Sequence, residues 1–140
     1  MRQFLIMSHG HMSYGMLSTV SMLAGNNFNI DFLCAYVDGE DTDIKYKLEE
    51  YLSKLDINDE FIIFTDIFGG SVNNQAMNFL NDSRVKLISG VNLPLVIEVL
   101  QNSQDNSISI DEIIREAISA SRESIVFCND LDKDLSNDDF

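Results

Sequence analysis

Phe4-Leu5-Ile6-Met7-Ser8-His9-Gly10-His11 decides how the rest of the chain is read. Four apolar residues run directly into a serine, a histidine and a glycine. An apolar run this short predicts a buried strand, most often a parallel one. Gly10 lets the backbone turn where a side chain would obstruct it. A polar-to-amphipathic pattern follows from Ser13, so a helix is expected next. His9 is thereby placed at the carboxyl end of a strand, beside the start of a helix. In open α/β sheets that is where ligands and chemistry collect. The chain has two histidines, and both lie in this stretch.

Working outward, strand and helix patterns alternate. Strands are expected over residues 3–7, 30–37, 60–65 and 85–89. The first helix is expected over residues 13–24, with Ser13 as cap, Gly25 as stop and a stripe of Met16, Val20, Leu23 and Ala24. Asp41 or Thr42 is expected to cap a second helix, whose stripe is Ile44, Leu48, Tyr51, Leu52 and Leu55. A third helix is expected over residues 72–80. Pro94 suits the first turn of a fourth, running to about residue 100. That helix is apolar on nearly all sides, which suggests a subunit contact. Ser109 and Glu112 stand at capping-box spacing ahead of a fifth, with Ile110, Ile113, Ile114, Ala117 and Ile118 on its apolar face. Residues 124–128 read as a short final strand, and residues 129–140 as an acidic, frayed tail. The alternation predicts one α/β domain over residues 1–128: a doubly wound, mainly parallel sheet of about four strands plus the short C-terminal one.

Composition narrows the function. At 140 residues the chain can bury a real core. Nine basic against 23 acidic residues give a formal net charge of −14. That argues against a nucleic-acid or anionic-membrane surface and favours partners with basic surfaces. Cys34 and Cys128 form no CxxC motif, lie in apolar runs and read as core residues of a protein from a reducing cytosol. Histidine spacing does not suit zinc, and Asp38, Glu40, Asp41 and Asp43 read as a solvated turn and helix cap, so no metal is expected. No signal peptide or membrane span is read. GxxxxGK[ST] and GxGxxG are both absent, and no cofactor is expected.

The second informative stretch is Asp66-Ile67-Phe68-Gly69-Gly70-Ser71, after the third strand. If the first and third strands are neighbours, His9 and Asp66 share a cleft. Asp66 then accepts a hydrogen bond from one ring nitrogen of His9, which fixes the tautomer and leaves the other nitrogen as a lone pair. Gly69, Gly70 and Ser71 run into a helix start, where N–H groups and the Ser71 hydroxyl favour an anion, and the Gly10 turn offers a second such nest. No lysine or arginine lies in either loop. A phosphoryl group held that way can be passed on. Plainer readings stand beside these: a paired strand-end His9, Asp66 as a turn residue, Gly69-Gly70 as a tight turn, Ser71 as a cap. His11 competes with His9 but lies past the glycine. Phe68 covers the cleft.

Ser8-His9-Gly10, Asp66-Ile67-Phe68-Gly69-Gly70-Ser71 and Ser89-Gly90-Val91-Asn92-Leu93-Pro94, in that order and spacing, resemble three motifs of one family. It is the IIA component of the mannose-type phosphoenolpyruvate-dependent sugar phosphotransferase system (PTS), of the mannose, fructose, sorbose and N-acetylgalactosamine type. The resemblance implies a cytoplasmic phosphoryl carrier. HPr would donate the phosphoryl group to His9 and a IIB component would receive it, working with membrane IIC and IID components without membrane insertion. It also implies that Asp66 orients His9, that Ser71 contacts the phosphoryl group through a site including Gly10, Gly69 and Gly70, and that precedent points to Nε2. Family members are homodimers that exchange the last strand, here residues 124–128, lying antiparallel. The chain departs from the family pattern at Ile67, Phe68 and Val72, where threonine, tryptophan and proline are often found. Two other readings remain: a subunit delivering phosphate to a dihydroxyacetone kinase, and a non-catalytic flavodoxin-like module that binds an anion. The residues do not specify a sugar.

Overall fold

The structure, a computed structural model, describes residues 1–131. Strands β1 (Arg2–His9), β2 (Ile30–Ala35), β3 (Glu60–Thr65) and β4 (Val85–Ser89) form one parallel sheet in the order β2-β1-β3-β4. Helices α1 (Met12–Ala24), α2 (Ile44–Ser53), α3 (Ser71–Met77), α4 (Leu93–Asn102) and α5 (Ile110–Glu123) complete the described fold.

Strand alternation builds two cores from one sheet. On β1, Phe4 and Ile6 face one side and pack with Val20 of α1, Val96 and Val99 of α4 and Ile113 of α5. Leu5 and Met7 face the other side and pack with Ile44 and Leu48 of α2 and Val72 and Ala76 of α3. Phe61 and Ile63 against Ile62 and Phe64 divide β3 in the same way. Both central strands are therefore buried on both faces, which is why they read as unbroken apolar runs. The chain leaves β1 for the α1 face and leaves β3 for the α3 face. Loops that depart to opposite faces leave a crevice between the carboxyl ends of adjacent strands.

Local chemistry sets the boundaries and corrects several expectations. Ser13 does not cap α1. It lies inside the helix, buried, with its N–H donated to Ser8 Oγ (2.8 Å) and its hydroxyl to the Leu33 carbonyl (3.0 Å). Leu17, rather than the exposed Leu23, joins the α1 packing face. The α2 cap is Asp43, which accepts from Tyr46 N–H at 3.0 Å; Thr42 instead accepts from Tyr36 N–H. Asn92 and Ser109 cap α4 and α5 as side-chain acceptors. The apolar girth of α4 is used within the chain, between α1 and α5, so it does not by itself call for a subunit contact. Cys34 is half-buried beside Ser13 Oγ (3.3 Å), and Cys128 is exposed, not a core residue.

The final strand expected over residues 124–128 does not form in the single chain. Ser124 ends α5, and Cys128–Asp130 is a short 3-10 turn. A strand needs a neighbour, and within the described residues this segment has none. Ile125, Val126 and Phe127 are 79%, 50% and 67% exposed. The expected tail lies beyond it, with residues 132–140 outside the described chain.

At the opposite end of the sheet, Arg84 donates to the Leu52 and Leu55 carbonyls at the end of α2 and is gripped by Asp82 at 2.7 Å. The Arg84 guanidinium and N–H hold the Asp82 carboxyl below its usual value of 3.8. A depressed carboxyl contributes stability that is present above its unfolded value and lost as pH falls through the folded one. Asp82→Ala is expected to cost about 1 kcal/mol at pH 7, a partly exposed charge-assisted pair. In urea titrations the deficit should begin to shrink as pH drops below 3.8 and vanish only once pH has passed the lower folded value. A deficit that stays constant down the pH series would show that the carboxylate charge is not the source.

Candidate active site at the β1–β3 crevice

β1 and β3 are direct neighbours, with Met7 paired to Thr65, so His9 and Asp66 emerge side by side. One Asp66 oxygen, Oδ2, accepts two bonds from His9: from the backbone N–H and from ring Nδ1, both at 2.8 Å. The other, Oδ1, accepts from Ile67 N–H at 2.9 Å. Partial burial works to raise the Asp66 carboxyl. The hydrogen bonds from His9 and Ile67 overcome it and hold the group below the usual carboxylate range. The carboxylate is thus ionised and fixed in place. With Nδ1–H assigned as its donor, Nε2 carries the lone pair.

That second nitrogen meets Ser71 Oγ at 3.2 Å. Ser71 opens α3 after Gly70, which occupies the cap position in extended conformation. The His9 side chain remains 46% exposed while that of Asp66 is 14% exposed. The ring can therefore be reached from outside while its carboxylate partner is sheltered behind it.

The glycines contribute shape more than donors. Gly10, at φ +63°, spends its N–H on the Ala35 carbonyl (2.8 Å), so that turn does not offer the expected amide to an anion. Gly70 donates to the Ile67 carbonyl, at 3.2 Å. A Cβ at Gly70 would stand 2.7 Å from Ile67 Cγ2 and 3.4 Å from His9 Cε1, so the loop closes over the imidazole only because that atom is missing. Gly69, at φ +83°, turns the chain. The N–H groups of Ser71 and Val72 make no hydrogen bond to any described residue. His11 sits exposed at the start of α1, apart from the pair, and Phe68 is 77% exposed and does not cover it. Among the described residues no three of His, Cys, Asp or Glu gather as a metal site.

Sequence reasoning missed two members of this neighbourhood. Ser8 Oγ accepts from Ser13 N–H and donates to the Gly10 carbonyl at 3.2 Å, which ties the His9 loop to α1. Tyr36, just past β2, sets its ring 5.5 Å from that of His9 at 47°. Its signal was positional: Ala35 pairs with His9, so the next residue must end at the same sheet edge.

Comparison with known proteins bears on this geometry. Residues 3–118 match the family model of the PTS system fructose IIA component, the mannose-type EIIA family. The chain belongs to this family. It is 31% identical over 123 residues to the mannose-specific EIIAB component of Escherichia coli K12, covering 86% of this chain and 38% of that protein. The chain thus spans well under half of that two-component relative. The sorbose-specific EIIA component of Klebsiella pneumoniae is 32% identical, covering 76% of each. A solved PTS IIA protein associated with the fucose utilization operon of Streptococcus pneumoniae superposes with a TM-score of 0.70 at 32% identity, covering 91% of this chain and 93% of that one.

In this IIA chain the tight approach of Gly70 to Ile67 makes a test of loop closure. Gly70→Ala is expected to lower stability by about 1–2 kcal/mol, the usual cost of overpacking, because Ile67 Cγ2 lies only 2.7 Å from the added carbon. Ile67→Ala, at a solvent-exposed position, should be nearly neutral alone and should recover most of that loss in the double variant. Additive urea midpoints would mean that the two residues do not share this contact.

Proposed function

We propose that the chain is the phosphoryl-carrier IIA component of a sugar phosphotransferase system, accepting phosphate from HPr on His9 and passing it to a IIB component. One observation carries this reading: an exposed imidazole with Nδ1 bonded to a carboxylate at 2.8 Å and Nε2 facing a hydroxyl at 3.2 Å.

The Nε2 lone pair attacks the donor's phosphorus. A new P–N bond forms, the donor's P–N bond breaks, and its electron pair returns to the donor ring. Nδ1 keeps its proton throughout, and Asp66 stabilises the positive charge that develops on the His9 ring. Ser71 turns its hydroxyl from the lone pair to the phosphoryl oxygens, joined by its own unbonded, exposed N–H. The reverse sequence delivers the group to IIB. The acidic chain suits partners with basic surfaces at this edge. No described helix is long and apolar enough to cross a membrane. We place the carrier in the cytoplasm, acting with membrane IIC and IID components without insertion, on a sugar of the kind its relatives' names record.

The same reading includes a homodimer in which residues 124–128 pair antiparallel with the partner's β4, one of the two edge strands of the sheet. Three consecutive exposed apolar side chains in that segment support it. Ending the chain after Glu123 is then expected to convert a dimer to a monomer in sedimentation at micromolar concentration. A full-length chain that sediments as a monomer would remove the exchange.

Incubation with phosphoenolpyruvate, enzyme I and HPr should load wild type and His11→Ala with one acid-labile phosphate, and leave His9→Ala unlabelled. Asp66→Asn should stay folded and load about 100-fold more slowly, within the range for losing a group that stabilises charge developing in the transition state. Absence of label on wild type would favour an anion-binding module. Label that chases to a kinase subunit and not to IIB would redirect the pathway to dihydroxyacetone.

A further inference from the structure

We propose that Tyr36 is a positioning residue for phosphoryl transfer: its ring braces one face of the His9 imidazole, and Gln75 on α3 braces Tyr36. The proposal rests on the carrier reading above. Asp66 and Ser71 act on the two ring nitrogens, so both work in the plane of the imidazole. Neither bears on its faces. With its centroid 5.5 Å from that of the imidazole and its plane tilted by 47°, the Tyr36 ring is the neighbour placed to do so. That separation lies in the range for favourable aromatic pairs. It is also within reach for a π-face to attract a cation, and attack through Nε2 makes the His9 ring positive.

The backbone shows that this placement is held against local preference. Tyr36 sits at φ 59°, ψ 30°, a left-handed conformation that bulky residues seldom adopt. Two residues on, Asp38 repeats it at φ 56°, ψ 29°. Such conformations persist where surrounding bonds over-determine them. Here Tyr36 N–H donates to Thr42 Oγ1 at 3.0 Å, and Gln75 Nε2 donates to the Tyr36 hydroxyl at 3.1 Å. The left-handed turn swings the tyrosine toward His9 at the end of the neighbouring strand.

Gln75 follows Ser71 by four residues on α3, which puts both on one helix face. That face therefore reaches His9 twice: directly, by the Ser71 hydroxyl at Nε2, and indirectly, through Gln75 and the Tyr36 ring. A shift of α3 would disturb both supports together. No reaction atom passes through Tyr36; its part is to keep the lone pair aimed at the arriving phosphorus, where small angular errors are costly.

The test measures steady-state transfer from phosphorylated HPr. Tyr36→Leu keeps apolar volume against the Leu5 and Met7 cluster but removes the ring face. It is expected to lower kcat about tenfold with KM for phospho-HPr within about twofold, the mark of an interaction used in the reacting state. Tyr36→Phe keeps the ring but loses the Gln75 bond, so it should lower kcat about threefold, well short of the loss in Tyr36→Leu. Gln75→Leu unfastens the tyrosine and should lower kcat about threefold. Tyr36→Leu with wild-type kcat overturns the proposal. So does a raised KM with kcat kept, which would make Tyr36 a docking residue, or Tyr36→Phe as slow as Tyr36→Leu. Should Tyr36→Leu fail to fold, unchanged kcat in Gln75→Leu overturns it instead. Wild type that takes no phosphoryl group at all is the separate failure of the carrier reading.

Discussion

A single carboxylate oxygen organises the functional edge of this protein. Asp66 Oδ2 receives both the backbone N–H and the ring Nδ1 of His9, each at 2.8 Å. The first bond locks the end of β1 to the end of β3. The second fixes which ring nitrogen carries the proton. Because one atom does both, register error between the strands would appear directly as error in imidazole orientation. The burial of β1 and β3 on both faces protects that register, since a one-residue slip would exchange the contents of the two cores. Stability of the sheet centre and aim of the histidine are in this sense one property.

Doubly wound topology explains why the pair meets where it does. The loop after β1 turns toward one helical layer and the loop after β3 toward the other. Their tips would diverge, were they not drawn together by the Asp66 bonds and by the Gly70 approach to His9 Cε1. The crevice that results is shallow. A 46% exposed side chain is poorly placed to enclose a small substrate, but it can meet a group presented on another protein's surface. The fold alone would not choose between enclosing and presenting; the exposure of His9 supports the presenting geometry that the proposed carrier function needs.

Much of this was legible in the residues, for reasons that differ element by element. β3 and β4 matched residue for residue because short, mainly apolar runs bounded by turn residues have few alternatives. His9 and Asp66 were legible because each closes such a run with a polar group. The caps were less so: Asp43 beat Asp41 and Thr42, and Ser13 went inside α1, since competing hydroxyls and carboxylates are separated only by tertiary partners such as Tyr36 N–H and the Leu33 carbonyl. The apolar girth of α4 carried no information on which surfaces cover it, and α1 and α5 proved sufficient. Residues 124–128 have strand composition, yet composition cannot supply a neighbouring strand. Tyr36 left only a positional signal, at the end of a strand beside β1, because its left-handed backbone and its approach to His9 leave no periodic trace.

The weakness of the anion site is consistent with a carrier. In the proposed mechanism a phosphoryl group on Nε2 would meet the Ser71 hydroxyl and the exposed Ser71 N–H, and neither loop contains a lysine or arginine. An arginine clamp would form charge-assisted bonds roughly twice as strong. It would then stabilise the loaded state more than the transition state of the next transfer, and onward delivery would slow. In the proposed mechanism Asp66 would temper the same balance from the other edge of the ring, supporting the imidazolium through Nδ1 without touching the phosphoryl oxygens. The net charge of −14 adds a filter of its own. Free inorganic phosphate gains little from approaching such a surface, whereas a phosphoryl group carried on a protein with a basic face is drawn in by the face that carries it. Under the proposed carrier function, selectivity for the donor would reside in the partner's charge, and the pocket around Nε2 would be left free to hold the phosphoryl group lightly.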